Sequence, residues 1–467
     1  MTFLPLAILL LLCIPFVSSS LLSLNGTGVT TLDCSSCPSG DDIRTLWDII
    51  WSCAATLFAC AWTAIHPKHP GSGRGEICYF SRRLGIMLVM LIAPELMITW
   101  ATLQFLSARD AAKAFNNAFG AQLHQDHNDH PDIGESTATL LREFSTSDGS
   151  NSLHLSAPHV AGRRNFRAWT VTHGFFAWMG GFMLYFKDKP RATLTPDELL
   201  GFVRDGSVEM PVIVEADIED RSKGDALSKG IAILQLAWFV LQLVARYVQN
   251  LPVSLLELDT LAIAALTCIA YGFWWKKPKD IGHPHAVYWK ATAPLPKKLA
   301  YDTVDDRYAE DWTDPLVAIS AMPLNFMGIW PSISPYAVRS RRVPSGGGYD
   351  EGSVRRHRIN VLLVGCFGGT VFGGIQCLGW NDVPHAQGLL RAASLAIVAV
   401  PAFTALLLAY IWLNGSNTVI VLGATYAIPA IYGSARGLLL AAILVNLQSL
   451  PPGVYDTVAW TKFIPHL

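Results

Sequence analysis

The sequence predicts an all-α, polytopic transmembrane helix bundle of about eight spans after an N-terminal signal sequence. Three observations lead there. Apolar stretches recur along the chain, each close to the roughly 20 residues a helix needs to cross a bilayer. They are continuous rather than alternating, so helices are favoured over a barrel, the only other structure that satisfies its backbone in lipid. Charged residues make up only 15% of the 467 residues, against about 25% in a soluble domain.

The opening MTFLPLAILLLLCIPFVSSS has the apolar core and small-residue end of a secretory signal, assigned to residues 1–20. Residues 21–47 are then expected to be lumenal or extracellular. Asn25-Gly26-Thr27 fits a glycosylation acceptor there. Cys34 and Cys37 are a disulfide candidate in that oxidising space. A single CxxC lacks two of the four ligands of a zinc site.

The expected spans are residues 48–66, 84–106, 168–186, 229–249, 255–275, 360–378, 390–412 and 418–435. Basic clusters at Lys68–Arg83, Lys187–Arg191, Lys276–Lys279 and Arg355–Arg358 mark cytoplasmic loops. The short turns Asn250–Ser254 and Trp380–Gln387 carry no Lys or Arg and are expected to be lumenal. Residues 48–186 thus hold three helices and a long lumenal loop, 107–167. That loop dissents from the charge rule through Arg109, Lys113, Arg163, Arg164 and Arg167. Residues 187–228 form a cytoplasmic loop with a short helix capped by Thr195, and 229–275 a hairpin. Residues 276–359 form a large cytoplasmic loop with a proline-broken apolar stretch and a Gly-rich linker. Residues 360–449 hold the last three helices and 450–467 a tail.

Ionisable groups inside a membrane are costly and mark functional sites. Glu95 follows Pro94 in the second span, where proline frees a carbonyl and bends the helix. Gln235, Gln242, Arg246 and Gln249 form one polar stripe at helical spacing. Arg246 stands where it could pair with Glu257 and close the hairpin. Tyr432 and Arg436 on the eighth span and His173 on the third lie toward the lumenal side. Glu95, Gln242, Arg246, Glu257, Tyr432 and Arg436 are therefore expected to line one lumenal cavity. Gly365, Gly369 and Gly373 read as a packing stripe. His124, His127 and His130 are the weak metal candidates, in a segment whose Asn, Asp and Pro131 point to loop. Acidic runs around Asp217 and Asp305 read as solvated loop, with a magnesium–diphosphate site as the alternative.

Several segments, among them TLWDIIWSCAATLFACAWTAIHP, RRLGIMLVMLIAPELM, THGFFAWMGGF, DRSKGDALSKGIAILQLAWFVLQLVAR and SLPPGVYDTVAW, resemble an uncharacterised family of fungal multi-pass membrane proteins. The resemblance implies residence in the endomembrane system or plasma membrane and no particular activity. Its pattern often carries His where this chain has Gln376.

No cofactor is implied. The net charge of −1 offers no basic field for a nucleic acid, so the expected partners are the lipid bilayer and a small-molecule or lipid substrate. Small-molecule transport or binding through a polar cavity is the favoured function. A membrane-embedded enzyme acting on a lipid or isoprenoid, and a scaffold or receptor, are the alternatives.

Overall fold

The computed structural model describes residues 43–64, 84, 86–128, 168–220, 225–278, 284–290, 293, 299, 351–379, 387–414 and 418–458. They are mostly helical. Helix α1 spans Leu46–Ala64, α2 Ile86–Ile92, α3 Pro94–Asn128, α4 Val171–Trp178, α5 Pro196–Arg204 and α6 Glu215–Asp220. Helix α7 follows at Asp225–Val248, α8 at Leu255–Trp274, α9 at Glu351–Gln376, α10 at Gln387–Asn414 and α11 at Thr418–Asn446. Strands β1 (Phe182–Phe186), β2 (Lys189–Thr193) and β3 (His285–Tyr288) make a small sheet.

Four of these helices are long and apolar enough to cross a membrane, and the count is five if the bent pair α2–α3 is one span. The four segments are Leu46–Thr63, Gly230–Val248, Leu255–Trp274 and Arg356–Gly379. Helix α8 is the centre of the bundle: 67% of its window is buried, against 28% in α7. It packs on α1, α3, α9 and α11. Ser254 starts it with a capping box, in which Glu257 N–H donates to Ser254 Oγ and the Glu257 carboxylate accepts from Ser254 N–H. The outer helices turn apolar side chains outward, Leu234 on α7 and Leu406 on α10 being 72% and 70% exposed. A side chain of that kind, continuous with a bundle this apolar, suits lipid as its solvent.

The expected third span, 168–186, is not a membrane-length helix. Helix α4 is 8 residues long and ends where Gly180 takes φ +75°, a backbone region glycine enters without penalty. The apolar run FMLYF then becomes β1. Lys187 and Asp188, both at positive φ, turn the chain into β2, with Phe186 opposite Lys189; this is the two-residue hairpin geometry that follows strand twist. Hydropathy alone does not separate a buried strand from a short membrane segment. The sheet order is β2-β1-β3, antiparallel between β1 and β2 and parallel between β1 and β3. Its core, with Phe115, Trp169, Phe182, Leu199 and Trp289, joins the far half of α3 to α4, α5 and the sheet. Helix α5 begins at the predicted Thr195 cap.

Helices α10 and α11 run 28 and 29 residues and contain the expected stretches 390–412 and 418–435, α11 continuing to Asn446. The glycines of α9 are close-packed as their spacing predicts. A Cβ on Gly365 would meet Thr99, one on Gly369 would meet Pro401 at 2.7 Å, and one on Gly373 would meet Val398 at 2.6 Å.

Contacts order the two ends of the bundle. One end gathers Arg44, Pro252, Glu257 and Gly453–Asp456. The other gathers Gln104, Asp110, Lys276, Lys277, Arg356 and His357, and carries the sheet unit.

Candidate binding site at a helix break

Helices α2 and α3 meet at Ala93 with a bend of 119°. Pro94 has no N–H to continue the ladder, so the break leaves carbonyls at the end of α2 without helical partners. Arg436 of α11 takes them. Its Nε donates to Ile92 O and its Nη2 to Leu91 O, both at 3.0 Å. Its Nη1 donates to Asp259 Oδ1 of α8 at 2.7 Å. Gln376 Nε2 of α9 donates to the same oxygen at 2.7 Å, and the guanidinium lies 4.2 Å from the Phe372 ring centre. One buried arginine thus ties α2, α8 and α11 together and rests on α9. Its charge is matched by Asp259, which is what makes burial of either group tolerable.

Below this ion pair the network is incomplete. Glu95, in the first turn of α3, has a buried Oε2 with no hydrogen-bond partner, and the buried Tyr432 hydroxyl also lacks one. The two groups face each other closely enough for a weak side-chain hydrogen bond, one that falls short of good geometry. Gln376 Oε1 and Ser394 Oγ are likewise buried without partners. Adjacent glycines of α9 make the space: a Cβ on Gly368 would stand 3.8 Å from Glu95 Cβ, and one on Gly369 would stand 3.9 Å from the Tyr432 hydroxyl. Glu95, Pro401 and Tyr432, from three different helices, converge on these two residues. Buried polar atoms without partners are rare in folded proteins. At a helix break inside a bundle they are the arrangement that receives a polar or charged ligand group.

The expected cavity residues separate into two groups. Glu95, Tyr432 and Arg436 come together at the break. Arg246 and Glu257 lie at the bundle end, and they do not pair with each other as expected. Glu257 is held by Arg44, at 2.7 and 3.2 Å. Arg246, 1% exposed, donates to the carbonyls of Pro252, Gly453, Val454 and Asp456. The physical reason is reach: the chain after α11 folds back over this end and presents a row of carbonyls to Arg246. Gln235 donates to Thr56 of α1 at 3.2 Å, which makes part of the polar stripe a helix–helix tie. Gln242 is half-buried on the same helix.

His173 also moves out of the membrane reading. It sits in α4, its Nδ1 accepting from Thr170 N–H at 3.1 Å and its Nε2 facing Ile213 O at 3.1 Å. Those partners select the neutral Nε2–H form, and burial lowers its pKa accordingly. Burial acts against the charge of Glu215, but hydrogen bonds from Thr172 and Lys276 outweigh it and hold the carboxyl below its usual range. Lys277, just past α8, has its Nζ 2.9 Å from Gln104 Oε1 and 4.7 Å from the Trp274 ring centre. Burial pushes it down to about 7.

Among the metal candidates, His124 and His127 belong to the last turns of α3 rather than to a loop, and His130 lies outside the described residues. Among the described residues no group of three or more His, Cys, Asp or Glu is arranged to hold a metal. Asn25, Cys34, Cys37 and residues 1–20, the expected signal, lie outside the described residues.

Asp259, Gln376 and Lys277 are the residues sequence reasoning undervalued. Asp259 is legible as an ionisable residue inside an apolar stretch, and its place two residues after Glu257 near the start of α8 equally suits an acid that opens a helix. Nothing in the sequence marks Lys277 as buried.

The fold and site define a class: a mostly helical protein with, among the described residues, four or five membrane-length helices, a small mixed sheet at one end, and a polar network at a helix break. Residues 16–295 match a family described as a family of unknown function (DUF8562), and the chain belongs to it. The matched stretch contains Glu95 and Asp259, while Gln376, Tyr432 and Arg436 lie beyond it. No curated protein and no solved structure matches the chain.

Proposed function

We propose that this is a multi-pass membrane protein that binds a small molecule at the α2–α3 break and moves it across the bilayer. The observation that carries the reading is the pair of buried groups without a well-formed hydrogen bond, Glu95 Oε2 and the Tyr432 hydroxyl, beside a helix end fixed by Arg436. Discontinuous helices of this kind supply ligand groups in transporters because their freed ends point into a cavity. The Asp259–Arg436 pair is the rigid frame, and Glu95 is the group that meets the ligand.

We further propose that the end carrying the sheet unit faces the cytoplasm. Arg109, Lys113, Lys187, Lys189, Lys276 and Arg356 all belong to that end, which suits the positive-inside rule. On this reading the loop that dissented from the charge rule begins on the same side as the other basic loops. The N-terminus, after an N-terminal signal, is then lumenal or extracellular.

The test compares metabolites inside cells and in the medium for the source organism with this gene deleted, then restored as wild type or as Glu95→Gln. Redistribution of unchanged compounds, restored by wild type and not by Glu95→Gln, is the expected result. Accumulation of a chemically different precursor would overturn transport in favour of an enzyme. Full restoration by Glu95→Gln would overturn the site.

A further inference from the structure

We propose that the basic end of the α3–α9 contact holds an anionic phospholipid, its phosphate among Arg109, Lys113 and Arg356 and one acyl chain along an apolar stripe of α9. The proposal rests on the membrane-spanning reading above and is independent of the site at the helix break.

The stripe comes first. Arg356, Ile359, Leu363 and Phe367 follow one another at offsets of three, four and four, the spacing of one helix face. Ile359, Leu363 and Phe367 are 44%, 40% and 49% exposed. Arg356 opens the membrane-length segment Arg356–Gly379, and its side chain is 68% exposed. This face of α9 therefore runs from a cation at the membrane boundary down three apolar side chains that the bundle leaves half open. That order matches the division of a phospholipid into headgroup and chain.

The second observation is the charge at the boundary. Arg356 Nη1 donates to Asp110 Oδ2 of α3 at 3.0 Å, and His357 Nε2 meets the same oxygen at 2.7 Å. That contact sets the start of α9 beside Arg109 and Lys113, one residue before Asp110 and one turn after it, both exposed. Neither makes an ion pair among the described residues. Asp110 is already engaged by Arg356 and His357, so the charges of Arg109 and Lys113 are uncompensated. Arg356 keeps donors beyond the one it gives Asp110. Guanidinium forks and an ammonium are the groups that phosphate oxygens accept from, and cations beside a membrane-length helix draw anionic lipids. A free phosphate would use the cations and leave the stripe bare. Phosphatidylcholine would bring a cation of its own against them. The combination of stripe and cations selects an anionic lipid.

The full chain is embedded in phosphatidylcholine nanodiscs with a minor share of a photoreactive lipid, either phosphatidylserine or phosphatidylcholine, that carries a diazirine on one acyl chain. Expected is labelling of Ile359–Phe367 by the serine lipid about fivefold or more above the choline lipid. Arg109→Gln combined with Lys113→Gln should bring the ratio to within about twofold of parity. Arg356→Gln, which leaves His357 on Asp110, should lower it in the same direction. Gel filtration and the melting midpoint show that these variants fold. Lys187→Gln combined with Lys189→Gln removes two exposed cations of the β1–β2 hairpin at the same end and should leave the ratio unchanged. Excess inorganic phosphate at matched ionic strength should not displace the lipid. A wild-type ratio near one overturns the proposal. So does an equal fall with the hairpin pair, which makes the attraction a diffuse surface charge. Full displacement by phosphate also overturns it, by assigning the cations to a free anion. A chain that does not enter the discs overturns the membrane reading, and this proposal with it.

Discussion

Two buried arginines, Arg246 and Arg436, solve the same problem in different ways. Both are almost fully buried, and both cap backbone carbonyls. Arg246 spends its guanidinium on four carbonyls and ties the segment after α11 to the α7–α8 turn. Nearby, Glu257 is satisfied by Arg44 and by its own helix cap. Arg436 caps two carbonyls, pairs with Asp259, and stands beside acceptors that have no partner. The first network is closed, which suits a fastening. The second is open, which suits a ligand. Burial and charge do not distinguish the two sites; completeness of hydrogen bonding does.

Breaking the ion pair should have the largest effect on stability. Arg436→Ala leaves Asp259 buried and uncompensated, a loss of about 3–5 kcal/mol. Yield of monodisperse protein and its thermal midpoint should both fall. Arg436→Lys should recover little, since an ammonium lacks the planar fork that holds Asp259 and two carbonyls together. A full recovery with Lys would mean that charge alone matters here.

Arg246→Ala should cost about 2 kcal/mol by freeing carbonyls at a partly wet end. It should expose the segment around Pro452–Asp456 to protease while leaving metabolite redistribution intact in the protein that folds. Loss of function with unchanged stability would make Arg246 part of the site and erase the contrast.

A double-mutant cycle sharpens the same end of the molecule. Arg44 and Glu257 should couple by about 1 kcal/mol, while Arg246 and Glu257 should add independently. Strong coupling of Arg246 with Glu257 would restore the pair that sequence spacing suggested.

The smallest stability change belongs to Glu95→Gln, expected within about 0.5 kcal/mol because the isosteric amide can keep the loose contact with Tyr432. It should nevertheless abolish function.

The sheet unit supplies a pH-dependent contrast. His173 has a folded pKa below its unfolded value, so its share of stability is present above about pH 6.5 and is lost as pH falls below that value. Protection factors in α4, with exchange corrected for its intrinsic pH dependence, should fall between about pH 7 and 5, and His173→Gln should flatten that dependence. Protection of α4 that is flat with pH in the wild type would show that His173 does not titrate there.

The amino-acid pattern by itself determined that long apolar helices dominate the chain, where four of them lie, that a break falls at Pro94 beside Glu95, that Thr195 caps a helix, and that the glycines of α9 face close neighbours. These follow from local chemistry: hydropathy over a window, a missing N–H, a capping hydroxyl, an absent Cβ. Tertiary structure decided the rest. FMLYF became a strand because β2 and β3 were there to pair with it. Arg246 found the carbonyls of a segment more than 200 residues away instead of Glu257. Asp259, Gln376, Tyr432 and Arg436 met because α8, α9 and α11 pack around the broken end of α2. A hydrogen-bond partner is fixed by three-dimensional reach, and sequence spacing constrains reach only along one helix.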